Sequence, residues 1–207
     1  MGSEVGGPTS VVYGGGGWVI QTSERFMTSL ISWTGIDNRG PASLYIASDS
    51  RLSNSTASWD CGRKVFACRN SPDIFGYCGA VLLPSQIISQ LTDAIDSGIL
   101  FPVDATPEQR LLIAKQYISD AASSFPEQSP FKIAYGTRNG EGFGASFYVA
   151  TISWVNNKKV KVAEYEMPEQ SDLVFAAGSG KPVVEDFQFE WRTGDVGRTS
   201  RSILSFL

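Results

Sequence analysis

The sequence contains no histidine. Histidine is the one side chain that titrates near neutral pH without help from its surroundings. Ser-His-Asp triads, Cys-His pairs and zinc sites built on imidazole all depend on it. These classes of hydrolase are therefore excluded, and any hydrolytic activity needs a base of another kind.

The sequence is also poor in cysteine and in charged residues. Its three cysteines, Cys61, Cys68 and Cys78, show no C-x-x-C spacing, so neither a disulfide framework nor a zinc site is expected. Reduced thiols in a cytoplasmic protein are the favoured interpretation. Acidic residues outnumber basic ones by 21 to 17, which offers no basic surface for nucleic acid. We expect no metal, no cofactor and no nucleic-acid partner.

Long hydrophobic runs are missing as well. No apolar stretch approaches the roughly 20 residues of a membrane-spanning helix, so no membrane association is expected. Residues 1–27 lack the basic start and the continuous apolar centre of a secretory signal, and they contain four consecutive glycines at 14–17. We expect residues 1–27 to be a flexible lead segment and residues 28–207 to form one domain.

Hydrophobic periodicity predicts strands, then two helices, then strands. One helix runs from Pro84 to a cap at Gly98, and a second begins at Thr106 with Pro107 and Gln109 completing a capping box. Alternating or β-prone segments predict strands at 28–34, 43–48, 64–68, 73–81, 131–136, 145–155, 160–167 and 173–177. This order indicates an α+β fold rather than a doubly wound parallel sheet.

Two sequence motifs resemble functional sites but lack features that those sites require. Residues 178–181 read Gly-Ser-Gly-Lys, like the end of a phosphate-binding loop, but Pro182 stands where a magnesium-binding hydroxyl is needed. The carboxylate pairs Glu164/Glu166 and Glu185/Asp186 lie near strand ends or turns, where a solvated surface is the ordinary explanation. Neither motif predicts a site.

A set of five short segments is more informative. They are residues 27–31 (MTSLI), 46–53 (IASDSRLS), 62–66 (GRKVF), 76–79 (GYCG) and 177–180 (AGSG). In this order and at this spacing the set resembles the β-type proteasome subunits and their bacterial ring relatives, which are N-terminal-nucleophile hydrolases. The resemblance spans residues 28–180. It implies a four-layer αββα sandwich, two antiparallel sheets between helices, with a shortened C-terminal helical layer.

Such a site works without histidine. If the chain is cut before Thr28, that residue supplies a hydroxyl nucleophile and an α-amine whose unperturbed pKa, about 7.7 to 8.0, suits a general base. A nearby ammonium, for which Lys64 is the candidate, lowers the proton affinity of both groups. A buried Lys64 needs a counter-charge, and Asp49 is the candidate for it.

The resemblance implies roles for four further residues. Gly79 corresponds to the glycine whose backbone N–H stabilises the oxyanion, and Ser179 to the serine that supports the terminal amine. Ser53 corresponds to a backbone contact with an extended substrate, and Tyr77 to a position that shapes the pocket before the scissile bond. Taken singly, each of these residues has a plainer explanation as a turn, strand or surface residue.

The implied activity is that of a threonine-type peptidase or amidohydrolase, which cleaves peptide bonds through an acyl-enzyme on Thr28. The implied partners are a peptide or protein substrate and further copies of the chain in a closed ring, and an unfoldase is a further candidate. The alternative is a catalytically silent proteasome-like subunit with an assembly or binding role. Ring size and natural substrate do not follow from the sequence.

The sequence departs from the family pattern at two places. The family's Asp-x-x-Ser-Gly segment is missing, and Asp195, which has no serine three residues later, is assigned no role. The residue before Thr28 is Met27, whereas self-processing members usually have glycine there. Residues 1–27 are therefore either a propeptide or an upstream extension of a chain whose translation begins at Met27.

Overall fold

A computed structural model describes residues 12–14, 17–19, 28–53, 57–126, 129–155 and 159–194. This part of the chain has a mixed α/β fold with antiparallel sheets and three helices. The helices are α1 (Leu82–Asp96), α2 (Pro107–Ser124) and α3 (Lys181–Thr193). The strands are β1 (Val12–Gly14), β2 (Gly17–Val19), β3 (Leu30–Asp37), β4 (Gly40–Ser48), β5 (Leu52–Ser53), β6 (Ser58–Trp59), β7 (Val65–Ala67), β8 (Asp73–Gly79), β9 (Phe131–Asn139), β10 (Ser146–Val155), β11 (Lys159–Tyr165) and β12 (Asp172–Ala177).

The larger sheet has five strands in the order β11-β10-β9-β8-β7, and each neighbouring pair is antiparallel. Successive residues of these strands point to opposite faces. On one face, Tyr77, Ile133 and Ile152 belong to an apolar cluster that includes the buried sides of α1 and α2. On the other face, Cys78 and Ala134 belong to a second apolar cluster. The sheet therefore buries both faces.

The smaller sheet has three strands in the order β12-β3-β4, also antiparallel. Leu30 of β3, Ile46 of β4 and Phe175 of β12 are buried in the second apolar cluster together with residues of the larger sheet. The two sheets are thus packed against each other through this cluster. Two short strand pairs, β1 with β2 and β5 with β6, lie outside these sheets.

The first two helices form as their sequence signals indicate. Thr106 accepts a hydrogen bond from the Gln109 backbone N–H, while the Gln109 side chain accepts one from the Thr106 N–H, so the predicted capping box is present at the start of α2. Gly98, just after α1, has φ +68°, the left-handed conformation that a helix-terminating glycine supplies at low cost. Helix α1 begins at Leu82, two residues before the predicted Pro84.

Helix α3 was not predicted. The residue before it, Gly180, has no side chain to cap the helix, and none of its residues is buried. Its contacts are with the smaller sheet. The Trp191 ring meets the Trp33 ring edge to face at 5.3 Å, and Gln188 Nε2 donates to Asp172 Oδ1 at 2.7 Å. Arg192 forms an ion pair with the same carboxylate. Val183, Phe187 and Trp191 recur at every fourth position of α3, and this helical spacing is the signal in its own sequence that could have revealed it.

Within the described residues no helix is long and apolar enough to cross a bilayer. The predicted lead segment, 1–27, lies outside the described residues apart from β1 and β2, and so does Asp195.

Candidate active site

Thr28 lies directly before β3, beside the turn that follows β12. The pairing of Ala177 with Leu30 brings this turn, residues 178–180, against the start of β3. The Thr28 backbone N–H donates to Ser179 Oγ at 2.9 Å, and the Gly180 N–H donates to the Thr28 carbonyl at 3.2 Å. Both polar atoms of the Thr28 backbone are thereby bonded to a turn that lies more than 150 positions away in the sequence.

Gly178 is required by this close approach. Its φ is +87°, and a Cβ added there would lie 2.0 Å from the Thr28 carbonyl oxygen, well inside van der Waals contact. No side chain fits without moving Thr28. The glycine in the Gly-Ser-Gly turn is therefore explained by the position of Thr28.

This contact predicts a specific effect of Gly178→Ala. The variant Gly98→Ala is the matched control, because Gly98 also has positive φ but nothing lies within 4 Å of its added Cβ. Left-handed strain alone costs about 1–2 kcal/mol in either variant. The clash with Thr28 adds about 1–3 kcal/mol to Gly178→Ala. Urea denaturation measures both, and equal losses of stability would contradict the inferred contact.

Asp49 connects Lys64 to the residue that follows Thr28. Asp49 Oδ1 accepts from the Ser29 backbone N–H at 2.7 Å, and Asp49 Oδ2 accepts from Lys64 Nζ at 2.9 Å. The Lys64 side chain is only 2% exposed, whereas that of Asp49 is 28% exposed. A buried ammonium is costly unless it is paired, so this ion pair explains how Lys64 is accommodated.

Backbone hydrogen bonds hold both members of the Asp49–Lys64 ion pair in position. Asp49 follows β4, and its N–H donates to the Ser29 carbonyl at 3.3 Å, which continues the pairing of β3 with β4. Lys64 precedes β7, and its carbonyl accepts from the Tyr77 N–H at 3.1 Å. The ion pair therefore ties the smaller sheet to the larger one directly behind Thr28.

Gly79 ends β8 with φ +95°. A Cβ at this position would lie 2.7 Å from the Pro130 carbonyl oxygen and 3.0 Å from Phe131 Cα. The next N–H, that of Ala80, donates to the same Pro130 carbonyl at 3.0 Å. Glycine is needed here because the chain segment before β9 passes so close to it.

A cavity of about 1400 Å³ opens at these residues. Thr28, Ser53, Gly79 and Ser179 line it, so the structure brings four of the seven predicted site residues to one surface. Asp49 and Lys64 are not among the lining residues and lie behind Thr28, attached through the Asp49 bond to Ser29. Of the hydroxyl residues at the cavity wall, Thr28 is the one whose neighbour Ser29 is bonded to this ion pair.

Tyr77 neither lines the cavity nor joins the contacts around Thr28. It is 1% exposed and packs in the cluster beneath α1 and α2. Burial raises the pKa of its phenol. Strand alternation is the physical reason, since Phe75 and Tyr77 share the helix-facing side of β8 and Cys78 faces the other way. The assignment came from the resemblance alone, and the alternating pattern of β8 argues against it.

Cys78, the next residue of β8, lines the cavity. Burial raises the pKa of its thiol to about 11, against the opposing effect of the Lys132 and Lys64 charges. A thiol with that pKa is protonated at neutral pH and is a poor nucleophile. Lys132 and Lys161 also line the cavity and were not singled out in the sequence. They share a sheet face with Cys78 through strand register, which the sequence alone does not reveal.

Comparisons with known proteins give no family assignment. No family model matches the chain, and no curated protein matches it. Among solved structures, the chain is similar to that titled "Crystal structure of eukaryotic HslV from Trypanosoma brucei", with 12% sequence identity, 84% of each chain covered and a TM-score of 0.47. The functional proposal therefore rests on the contacts of Thr28, Asp49, Lys64 and Ser179.

Proposed function

We propose that the chain is a threonine-type N-terminal-nucleophile peptidase or amidohydrolase in which Thr28 becomes the first residue and attacks the substrate carbonyl. The observation that supports this most strongly is the double attachment of the Thr28 region. Its nitrogen bonds to Ser179, and its neighbour Ser29 bonds to Asp49, which holds Lys64. Residues chosen from distant parts of the sequence thus contact the same two-residue segment.

In the proposed reaction, the free amine of Thr28 accepts the Oγ proton through a water molecule as Oγ attacks the amide carbonyl. The tetrahedral oxyanion is stabilised by the Gly79 backbone N–H. The protonated amine then gives its proton to the leaving nitrogen as the C–N bond breaks, which leaves an acyl ester on Thr28. Water, deprotonated by the same amine, hydrolyses the ester and restores the hydroxyl.

Lys64 and Asp49 tune this chemistry in the proposal. A positive charge near the amine disfavours its protonation and favours a developing alkoxide. Asp49 holds Lys64 in place and, by accepting the Ser29 N–H, also positions the residue after the nucleophile. Ser179 Oγ lies 2.9 Å from the Thr28 nitrogen, within reach of a hydrogen bond to the amine. Ser53, at the cavity wall, is proposed to contact the extended substrate.

A four-layer αββα architecture belongs to the same proposal. Three sets of contacts support it. Helices α1 and α2 pack on the larger sheet, the larger sheet packs on the smaller one, and Trp33 of the smaller sheet contacts Trp191 of α3. A ring of identical subunits, an unfoldase partner and a cytoplasmic location stay predictions of the sequence resemblance.

Determining the N-terminus of the mature protein tests the proposal. In the intact chain the Thr28 nitrogen is an amide, which cannot act as a base. We expect intact-mass measurement and N-terminal sequencing of protein recovered from its natural host to show a chain that begins at Thr28. A chain that keeps residues 1–27 and still cleaves peptides would overturn the mechanism. A chain that keeps them and cleaves nothing would favour the silent subunit.

A further inference from the structure

Four residues form a row across the floor of the cavity. Cys78 of β8 pairs with Lys132 of β9, which pairs with Ser153 of β10, which pairs with Lys161 of β11. Residues that pair directly across antiparallel strands have side chains on the same face. All four line the cavity. Since neighbouring strands are about 4.8 Å apart, the row extends roughly 14 Å from Cys78 to Lys161.

The inner end of this row lies beside the proposed nucleophile. A Cβ built on Gly178 would be 2.9 Å from the Thr28 carbonyl carbon and 3.6 Å from Cys78 Cβ, so Cys78 and the Thr28 backbone flank the same point. Lys132 is one strand further out and Lys161 three strands out. The influence of the Lys132 charge on the Cys78 thiol agrees with this placement.

The two lysines provide positive charge that nothing in the described cavity neutralises. Arg51, also at the cavity wall, is paired with Asp60 at 2.6 Å, and Lys64 behind the wall is paired with Asp49 at 2.9 Å. Neither Lys132 nor Lys161 has a carboxylate within salt-bridge distance among the described residues. No acidic residue occurs among the described lining residues.

Charges on the other face of the sheet do not compensate this pair. Glu164 lies on β11 three residues after Lys161 and points to the opposite face, where burial and the Glu164 carboxylate raise the pKa of the Tyr148 phenol. The whole chain has a net charge of −4, so a positive cavity runs against its average composition. A cavity with local positive charge attracts anionic groups and raises their local concentration.

We propose that this cavity selects peptide substrates that carry an acidic side chain close to the scissile bond, with Lys132 as the main recognition residue and Lys161 as a second one. This inference rests on the proposed function, since it assumes that Thr28 attacks a peptide bound in the cavity. Lys132 is half-buried and Lys161 is exposed, so the Lys132 interaction is less screened by water and salt.

Matched peptides test the selectivity. Each pair carries Glu or Gln at one position within four residues of the cleaved bond, because four extended residues span about the length of the row. Both ends are blocked, so that only the side-chain charge differs. We expect the recovered protein to favour Glu at one or more positions by about tenfold in kcat/KM, the size of one charge-assisted hydrogen bond. If the charge preference appeared only with unblocked peptides, the cavity would recognise a free C-terminal carboxylate and the proposal would be overturned.

Substitutions of the two lysines test whether they cause the preference for Glu peptides. Lys132→Gln is expected to lower the Glu-to-Gln ratio to about 3 or less, the share that Lys161 supplies, and Lys132→Glu to invert it. Lys161→Gln is expected to lower the ratio about threefold, as for an exposed ion pair. Lys115→Gln is the control, because Lys115 lies on α2, which packs against the opposite face of the larger sheet. A ratio near 1 in the unaltered protein, or one that Lys132→Gln leaves in place, would overturn the inference.

Binding separates this inference from the proposed function. The full chain with Thr28→Ala is titrated with the same labelled peptides, and fluorescence anisotropy gives the dissociation constants. Tighter binding of Glu peptides that depends on Lys132 supports the inference even if no hydrolysis is found. Hydrolysis without any charge preference would leave the proposed function standing and remove the inference. Failure of both peptides to bind would also count against it.

Discussion

Thr28→Ala is expected to abolish peptide hydrolysis, lowering kcat/KM by about 10⁴-fold or more. The proposed reaction forms its covalent bond at Thr28 Oγ, and removing a nucleophile leaves only the contribution of binding and oxyanion stabilisation. Thr28→Ser keeps a hydroxyl and the terminal amine, so it should retain activity within about 100-fold of the unaltered protein, the size of one misplaced catalytic contact. Steady-state cleavage of blocked peptide amides measures all three proteins.

The control for this prediction is a threonine far from the cavity. Thr193, at the end of α3, donates its hydroxyl only to carbonyls of its own helix, at 2.9 and 3.1 Å. Thr193→Ala should therefore keep full activity. Thermal denaturation checks that Thr28→Ala remains folded. A folded Thr28→Ala protein with undiminished hydrolysis would show that another residue is the nucleophile.

Much of the fold was predictable because its signals are local. The capping box of α2 depends on residues three positions apart, and the glycine after α1 marks a conformation that few other residues adopt. The strand β11, at the edge of the larger sheet, alternates between exposed and half-buried residues, as expected where one face of a strand is packed. In each case the residues that determine the element are also the residues that form it.

Helix α3 and the position of Tyr77 were not predictable in the same way. Helix α3 is held by contacts with Trp33 and Asp172, which lie on other elements, and no side-chain cap marks its start. The resemblance assigned Tyr77 to the cavity by its position in a motif. A motif fixes the place of a residue along β8, but the packing of α1 and α2 decides which face is buried.

The candidate site depends both on motifs in the sequence and on the register of the strands. Position in the sequence selected Thr28, Asp49, Lys64 and Ser179, but only strand register explains why they meet. Pairing of β3 with β4 brings Asp49 to Ser29, and pairing of β3 with β12 brings Ser179 to Thr28. The row from Cys78 to Lys161 arises from register as well, and no motif contains it. Site residues on different strands are thus visible only once the sheet order is known.

Lys64→Met is expected to lower both stability and activity. Methionine preserves the volume of the buried stem but leaves the Asp49 carboxylate without its cation, and loss of one partner of a buried pair costs about 3–5 kcal/mol. Because the Asp49 side chain is 28% exposed, we expect a loss at or below the lower end of that range. Activity should fall by about 10²–10³-fold, comparable to the loss of one electrostatic contact to the developing charge.

The double variant Lys64→Met/Asp49→Asn separates these two effects. With no carboxylate left to compensate, the double variant should recover part of the stability lost in Lys64→Met, which a double-mutant cycle in urea measures as coupling. It should recover no activity, since the positive charge near Thr28 is still absent. The exposed pair Arg51–Asp60 is the control for stability, and Arg51→Met should cost much less because water already solvates both groups. If activity returned together with stability, the role of Lys64 would be structural. In that case Lys64 would support the position of Thr28 through Asp49 and Ser29 without acting on its charge.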